Sequence, residues 1–164
     1  MSPAGRPTRL GLRPAHRTGI LLRLHLARIH DRLVQREQAR LREFDLTPAQ
    51  FDVLAQVASH PGLNQQDLAG HLLVTKGNVC GLLDRMEAAG WVERRPDPDD
   101  RRAHRLILTE RGAGLIGRAA PRMEALFVDL FSRLNAQERK DLARLLGRLD
   151  RSLEESMDFQ NSGE

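Results

Sequence analysis

Within one stretch, residues 64–109 (NQQDLAGHLLVTKGNVCGLLDRMEAAGWVERRPDPDDRRAHRLILT), the apolar residues change from helical spacing to short strand-like runs. Asn64 is placed to N-cap a helix opened by Gln65, Gln66 and Asp67, where a carboxylate also suits the helix dipole. Ala69 is small, as it must be if a second helix crosses close by. Thr75 is the expected N-cap of that second helix, whose apolar positions Val79, Leu82, Leu83 and Met86 follow helical spacing. Gly90 stops it as a left-handed C-cap. Helix, tight turn and second helix make the helix-turn-helix pattern, whose second helix can enter a DNA major groove with its N-terminal residues at the base edges.

Beyond Gly90 the residues are of the strand kind. WVERR at 91–95 and RLIL at 105–108 predict two strands, joined by PDPDDRR at 96–102, whose two prolines exclude a ladder interior. A hairpin with a long charged tip directly after such a helix is a wing. KGNV at 76–79, LLDRMEAAGWVERR at 82–95, DPDDRR at 97–102 and LTERG at 108–112 together resemble the MarR family of bacterial transcription regulators, contiguous and in the family's order. Cys80 stands where that family more usually has Ser or Thr, and Leu73 where a small residue is usual.

The remainder divides around this stretch. Residues 1–17 carry five basic side chains, Pro and Gly but no acid, and predict a flexible basic arm. A helix is expected from about residue 18 to 44, with Leu22, Leu26, Ile29, Leu33, Leu41 and Phe44 near one stripe. Thr47, Pro48 and Gln50 form a capping-box start for the next, which buries Phe51, Leu54, Val57 and Ala58 and ends at His60-Pro61-Gly62. Thr109 caps a helix running to about residue 134, with Pro121 inside it as an expected kink. Asn135 and Glu138 make another capping box, followed by Leu142, Leu145, Leu146, Leu149, Leu153 and Met157 at helical spacing. These terminal stripes are longer than one winged helix can cover, so they call for a second chain. In the resembled family the corresponding helices form a homodimer interface. The expected divisions are thus 1–17, a basic arm; 18–46, an N-terminal dimerisation helix; 47–112, a winged helix-turn-helix DNA-binding lobe; 113–158, C-terminal dimerisation helices; and 159–164, a tail.

Composition narrows the function. The basic residues are 24 Arg against 2 Lys and the sequence pI is about 10.4, which favours an acidic partner such as nucleic acid. No apolar run approaches the roughly 20 residues of a membrane span. One cysteine forbids an internal disulfide and fits a reducing, cytoplasmic setting. Enzyme signatures are missing: there is no phosphate-cradling glycine loop, no Tyr, no His-Glu-x-x-His and no nucleophile elbow. The histidines at 16, 25, 30, 60, 71 and 104 are dispersed, and His25 and His30 lie about 140° apart on a helix, so they cannot share a ligand face; a metal held by either with a group from elsewhere in the fold or from a partner chain is the lesser reading, and neither a metal nor a cofactor is expected.

For the second helix of the pattern, Thr75, Lys76, Asn78 and Arg85 are the candidate DNA contacts; Asn can bond adenine bidentately, while Lys and Thr reach guanine edges or phosphates. Arg95, Asp100, Arg101 and Arg102 are the candidates in the hairpin. The resemblance implies that Arg102 enters the minor groove, whose narrow A·T-rich form attracts Arg, while Asp100 holds the loop. The bland reading is a solvated charge run; a calcium loop from Asp97, Asp99 and Asp100 lacks the glycine and distal glutamate such a site needs. Cys80 invites a redox reading, since Lys76 and a helix start favour its thiolate, but it has no companion cysteine.

The expectation is therefore a mainly α protein with a small β-hairpin wing, a winged helix-turn-helix whose N- and C-terminal helices form a dimerisation region. The resemblance implies a homodimer that binds a pseudo-palindromic operator in double-stranded DNA, represses transcription, and is released by a small-molecule effector where the dimer helices meet the DNA-binding lobe. His25, Phe51 and Asp52 are the effector candidates. The rival reading is a winged-helix module used for protein contacts, with its basic surface incidental.

Overall fold

The computed structural model describes residues 14–72, 76–97 and 104–161; for 14–17, 76–78, 154 and 156–161 it describes the backbone alone. The described elements are α1 (Pro14–Leu41), α2 (Pro48–Ser59), α3 (Gln65–His71), α4 (Lys76–Ala88), β1 (Val92–Pro96), β2 (His104–Leu108), α5 (Glu110–Phe131) and α6 (Ala136–Asn161). A 3-10 turn over Arg42–Phe44 separates α1 from α2.

The first helix departs from expectation at both ends. It begins at Pro14, inside the segment expected as an arm, because proline is pre-set for the first helical turn and its missing N–H would be unpaired there in any case. It ends at Leu41, where the chain tightens into the 3-10 turn and Asp45 takes a left-handed conformation (φ 54°). The start of α2 follows the local signal: the Thr47 hydroxyl accepts from the Gln50 N–H at 3.2 Å, while Gln50 Oε1 accepts from the Thr47 N–H at 2.9 Å. Its buried face is Phe51, Val53, Leu54 and Val57; Ala58 is exposed. The face is turned toward Val53 because α2 packs against both α5 and the hairpin, so two sides need apolar cover.

One core unites these elements. Leu41, Leu46, Val53, Leu54 and Val57 meet Leu115, Ile116, Ala119, Met123 and Leu126 of α5, and Leu68, Val79, Leu83, Met86, Val92 and Leu106 continue the same cluster into the winged part. No polar or charged residue is buried among the described residues. The helix α5 stops at Phe131, earlier than expected, and α6 restarts through the reciprocal bonds of Asn135 and Glu138 (2.7 and 2.9 Å). Pro121 lies within α5 with both it and Gly117 exposed, so water can serve the Gly117 carbonyl that loses its donor.

In contrast, α6 packs only sparsely on its own chain, and none of its described residues is buried. Leu142, Leu145, Leu146, Leu149 and Leu153 all stand exposed along it, Leu145 by 52% and Leu153 by 57%. At the other terminus Ile20, Leu21, Leu22, Leu24, Leu26 and Ile29 of α1 are likewise exposed. The α6 leucines are those of the expected C-terminal stripe; of the expected α1 stripe Leu22, Leu26 and Ile29 are exposed, whereas Leu33 and Phe44 are half-buried and Leu41 is in the core, because the C-terminal end of α1 packs on α2 and α5.

Candidate nucleic-acid interface

Local chemistry sets up α3. The Asn64 side chain accepts from the Asp67 N–H at 2.8 Å, and Ala69 is buried where α4 packs close. Val79, Leu83 and Met86 of α4 are fully buried, so their spacing fixes which side of that helix faces outward. Its end is a Schellman motif: the Gly90 N–H donates to the Glu87 carbonyl at 2.9 Å and the Trp91 N–H to the Met86 carbonyl at 3.0 Å, with Gly90 at φ 70°.

The chain then turns into the hairpin. In register, Val92 faces Leu108, Arg94 faces Leu106, Arg95 faces Arg105 and Pro96 faces His104. Trp91 precedes the ladder instead of opening it, being used for the helix cap, and Pro96 closes an edge strand, where a missing donor is tolerated. Beyond β2 on its other side, Asn64 bridges Arg105, and the Leu106 N–H donates to the Leu63 carbonyl at 2.8 Å. This third, one-residue strand ties the start of α3 to the wing.

Two further fixings orient the hairpin. Arg94 donates to Asp84 at 2.6 Å and to Glu87 at 2.6 Å, both on α4, while its own backbone N–H donates to Glu87 at 3.1 Å. Its side chain is only 19% exposed. Burial works against the charge, but the Asp84 hydrogen bond and the negative charges of Glu87 and Asp84 outweigh it, holding the guanidinium above its ordinary value. At the base, the Thr109 N–H donates to the Trp91 carbonyl at 3.1 Å and its hydroxyl to the Gly90 carbonyl at 2.6 Å, while that hydroxyl accepts from the Gly112 N–H at 3.0 Å. Only glycine fits at 112: a Cβ there would lie 1.9 Å from the Trp91 carbonyl oxygen.

Of the expected DNA contacts, Thr75, Asp100, Arg101 and Arg102 lie outside the described residues. Lys76 and Asn78 occupy the first turn of α4, with backbone alone described. Arg85 is exposed on the same helix, its guanidinium lying back over Gly81. Arg95 is exposed in β1 and ion-paired with Glu93, its neighbour on the same strand face. Asp97, once a candidate calcium ligand, is instead engaged by Arg105, whose Nε donates at 2.8 Å and whose second amino group donates at 3.1 Å. Cys80 is exposed and free.

The effector candidates fall on two helices, α1 and α2. Phe51 is a core residue, Asp52 next to it is exposed, and His25 is exposed on the N-terminal half of α1. Although Asp52 is open to solvent, neighbouring atoms partly desolvate its carboxyl and raise it above its ordinary value; Glu37 of α1 is raised by desolvation and then by Asp52, with His30 opposing. A cleft of about 560 Å³ opens elsewhere, between α1 and α5, lined by Ile29, Leu33, Ala39 and Leu130 with Arg32, Gln35 and Arg36. Sequence reasoning missed that cleft, Arg94 and Gly112. The LTERG and WVERR motifs contain two of these residues, but their tertiary partners leave no local signature.

Comparison with known proteins agrees with this architecture. The MarR family profile matches residues 44–103. An uncharacterized HTH-type transcriptional regulator of Bacillus cereus is 34% identical over 137 residues, covering 83% of this chain and 91% of the relative. Among solved structures, the MepR–DNA complex of S. aureus has a TM-score of 0.74 at 27% identity, covering 78% of this chain and 93% of that one. An E. coli MarR mutant complexed with operator DNA has a TM-score of 0.64 at 31% identity, covering 76% and 92%. Fold and relatives define the class, a winged helix-turn-helix transcriptional regulator and not an enzyme. Within it, the chain belongs to the MarR family. Among the described residues no helix is long and apolar enough to cross a membrane.

Proposed function

We propose that this chain works in the bacterial cytoplasm as a homodimeric repressor, binding a pseudo-palindromic operator and leaving it when a small molecule binds. The observation that carries the reading is the unpartnered apolar surface of α1 and α6 beside a braced winged helix. Exposed leucines along a 26-residue helix call for a cover, and a second copy supplies the same face by two-fold symmetry. That symmetry gives two α4 helices to place in successive major grooves. Thr75, Lys76, Asn78 and Arg85 then serve as major-groove and phosphate contacts, and Arg95, Arg101 and Arg102 as wing contacts, with Asp100 holding the tip. The family neighbours solved on DNA support a duplex as the partner.

The cleft between α1 and α5 is the better effector site than the trio His25, Phe51 and Asp52. Its apolar walls with Arg32, Arg36 and Gln35 suit a small organic anion, and it sits on the helices that would set the spacing of the two winged lobes. Selection of random duplexes by the purified protein tests the whole reading. The expected product is an inverted repeat whose half-site centres lie about 10–10.5 base pairs apart, or a multiple. Failure to enrich any inverted repeat overturns it in favour of a protein-interaction module.

A further inference from the structure

The histidines His60 and His71, which the DNA-binding reading does not use, come together at the ends of two helices. Their ring centroids are 4.9 Å apart and the planes are tilted by 37°. His60 is the C-cap of α2, and His71 is the last residue of α3. Both are exposed, so the pair is open to solvent ions.

We propose that His60 and His71 form a two-histidine site for a borderline divalent transition ion of the nickel, copper or zinc kind. Three observations carry it. The spacing fits: two imidazoles on one ion, with metal–nitrogen bonds of about 2.1 Å and angles of roughly 90–110°, place their ring centroids about 4.6–5.3 Å apart. The tautomer fits: His60 Nδ1 lies 3.2 Å from the Gln56 carbonyl oxygen, and as the donor of that bond it leaves Nε2 with a free lone pair. The field fits, because both rings sit at helix C-termini, where unpaired carbonyls favour a cation.

Among the described residues no group of three or more His, Cys, Asp or Glu could hold an ion, so water completes the coordination. Imidazole ligands select nickel, copper and zinc over magnesium and calcium. A bound ion would pin the end of α2 to the end of α3, the helix that leads into α4.

The test uses the full, untagged chain. Calorimetry with Ni²⁺, Zn²⁺ and Mg²⁺ is run on the parent, on His60→Gln and on His71→Gln, and Cu²⁺ resonance spectra count the nitrogens on the ion. The expected result is one Ni²⁺ or Zn²⁺ per chain at this site and none of Mg²⁺, with affinity falling at least tenfold in each variant. The copper spectrum loses one of two nitrogens in either variant. A fall of less than tenfold in either variant, or an unchanged nitrogen count, overturns the site. Zn²⁺ titration of the parent gives a check independent of folding in the variants: the ring protons of His60 and His71 must shift together, and their failure to do so also overturns it.

Discussion

Replacing Gly112 by Ala strikes the joint through which the wing is fixed to α5. The added Cβ would sit 1.9 Å from the Trp91 carbonyl oxygen and 2.9 Å from its carbon, whereas real Cβ contacts essentially never fall under 3.0 Å. The helix start and the hairpin base must therefore separate by at least about 1 Å, and both partners are backbone, which cannot rotate away. That shift stretches the Thr109 N–H bond to Trp91 (3.1 Å), the Thr109 hydroxyl bond to Gly90 (2.6 Å) and the cap bond from Gly112 (3.0 Å). With about 1 kcal/mol for each hydrogen bond or cap, the loss is roughly 3 kcal/mol, at the high end for a single substitution. For a chain of this size that is a fall of roughly 6–12 °C in melting temperature. Thermal denaturation followed by circular dichroism reads it. Gly114→Ala is the control: its Cβ would meet nothing nearer than the Arg118 guanidinium at 3.7 Å, and a mid-helix alanine is favoured over glycine. A Gly112→Ala protein melting within about 2 °C of the parent refutes the reasoning.

Arg94→Ala frees the hairpin from α4; because Asp84 and Glu87 are partly exposed and rehydrate, stability falls by only about 1 kcal/mol, and the variant should lose DNA affinity beyond that loss in a binding titration. Asp52→Asn has a pH-dependent effect. The Asp52 carboxyl is raised above 3.8 in the fold, so its stabilising protonated form is fully present below that value and is lost as pH rises through the higher folded value. The variant should therefore melt above the parent at pH 7, with an advantage that shrinks on acidification; equal melting at pH 7 rejects the desolvation of Asp52. Leu149→Asp removes an apolar side chain worth about 2 kcal/mol from the proposed dimer seam and adds a charge, so sedimentation should show dimerisation weakened at least about thirtyfold.

What could be read from the sequence was what is decided within a few residues. The caps at Thr47, Asn64, Thr109 and Asn135 and the glycine stop at Gly90 depend on their own neighbours, and all five are in place. The family resemblance likewise rests on a contiguous run. Contacts between distant segments were not legible: Asn64 bridging Arg105, Arg94 clamping two carboxylates of α4, and Gly112 against Trp91 each join separate elements. Helical spacing also leaves the edges of a buried face open: Val53 and Ala58 lie at opposite edges of the α2 face, about 140° apart, and packing on α5 and the hairpin selects Val53. The pairing of His60 with His71 follows from the α2–α3 turn, which their separation of eleven positions does not disclose.

The central claim is that α4 reads bases while the wing supplies charge and groove shape. Titrating Asn78→Ala and Arg102→Ala against the selected operator and a small panel of its variants, at two salt concentrations, tests it most directly. Loss of Arg102 should weaken binding across the panel and reduce the salt dependence by about one phosphate-equivalent. Loss of Asn78 should cost roughly 1–3 kcal/mol on the preferred site and much less where its contacted base pair is altered. Identical profiles for the two variants would contradict the division of roles, and unweakened binding in both would contradict DNA recognition by this surface.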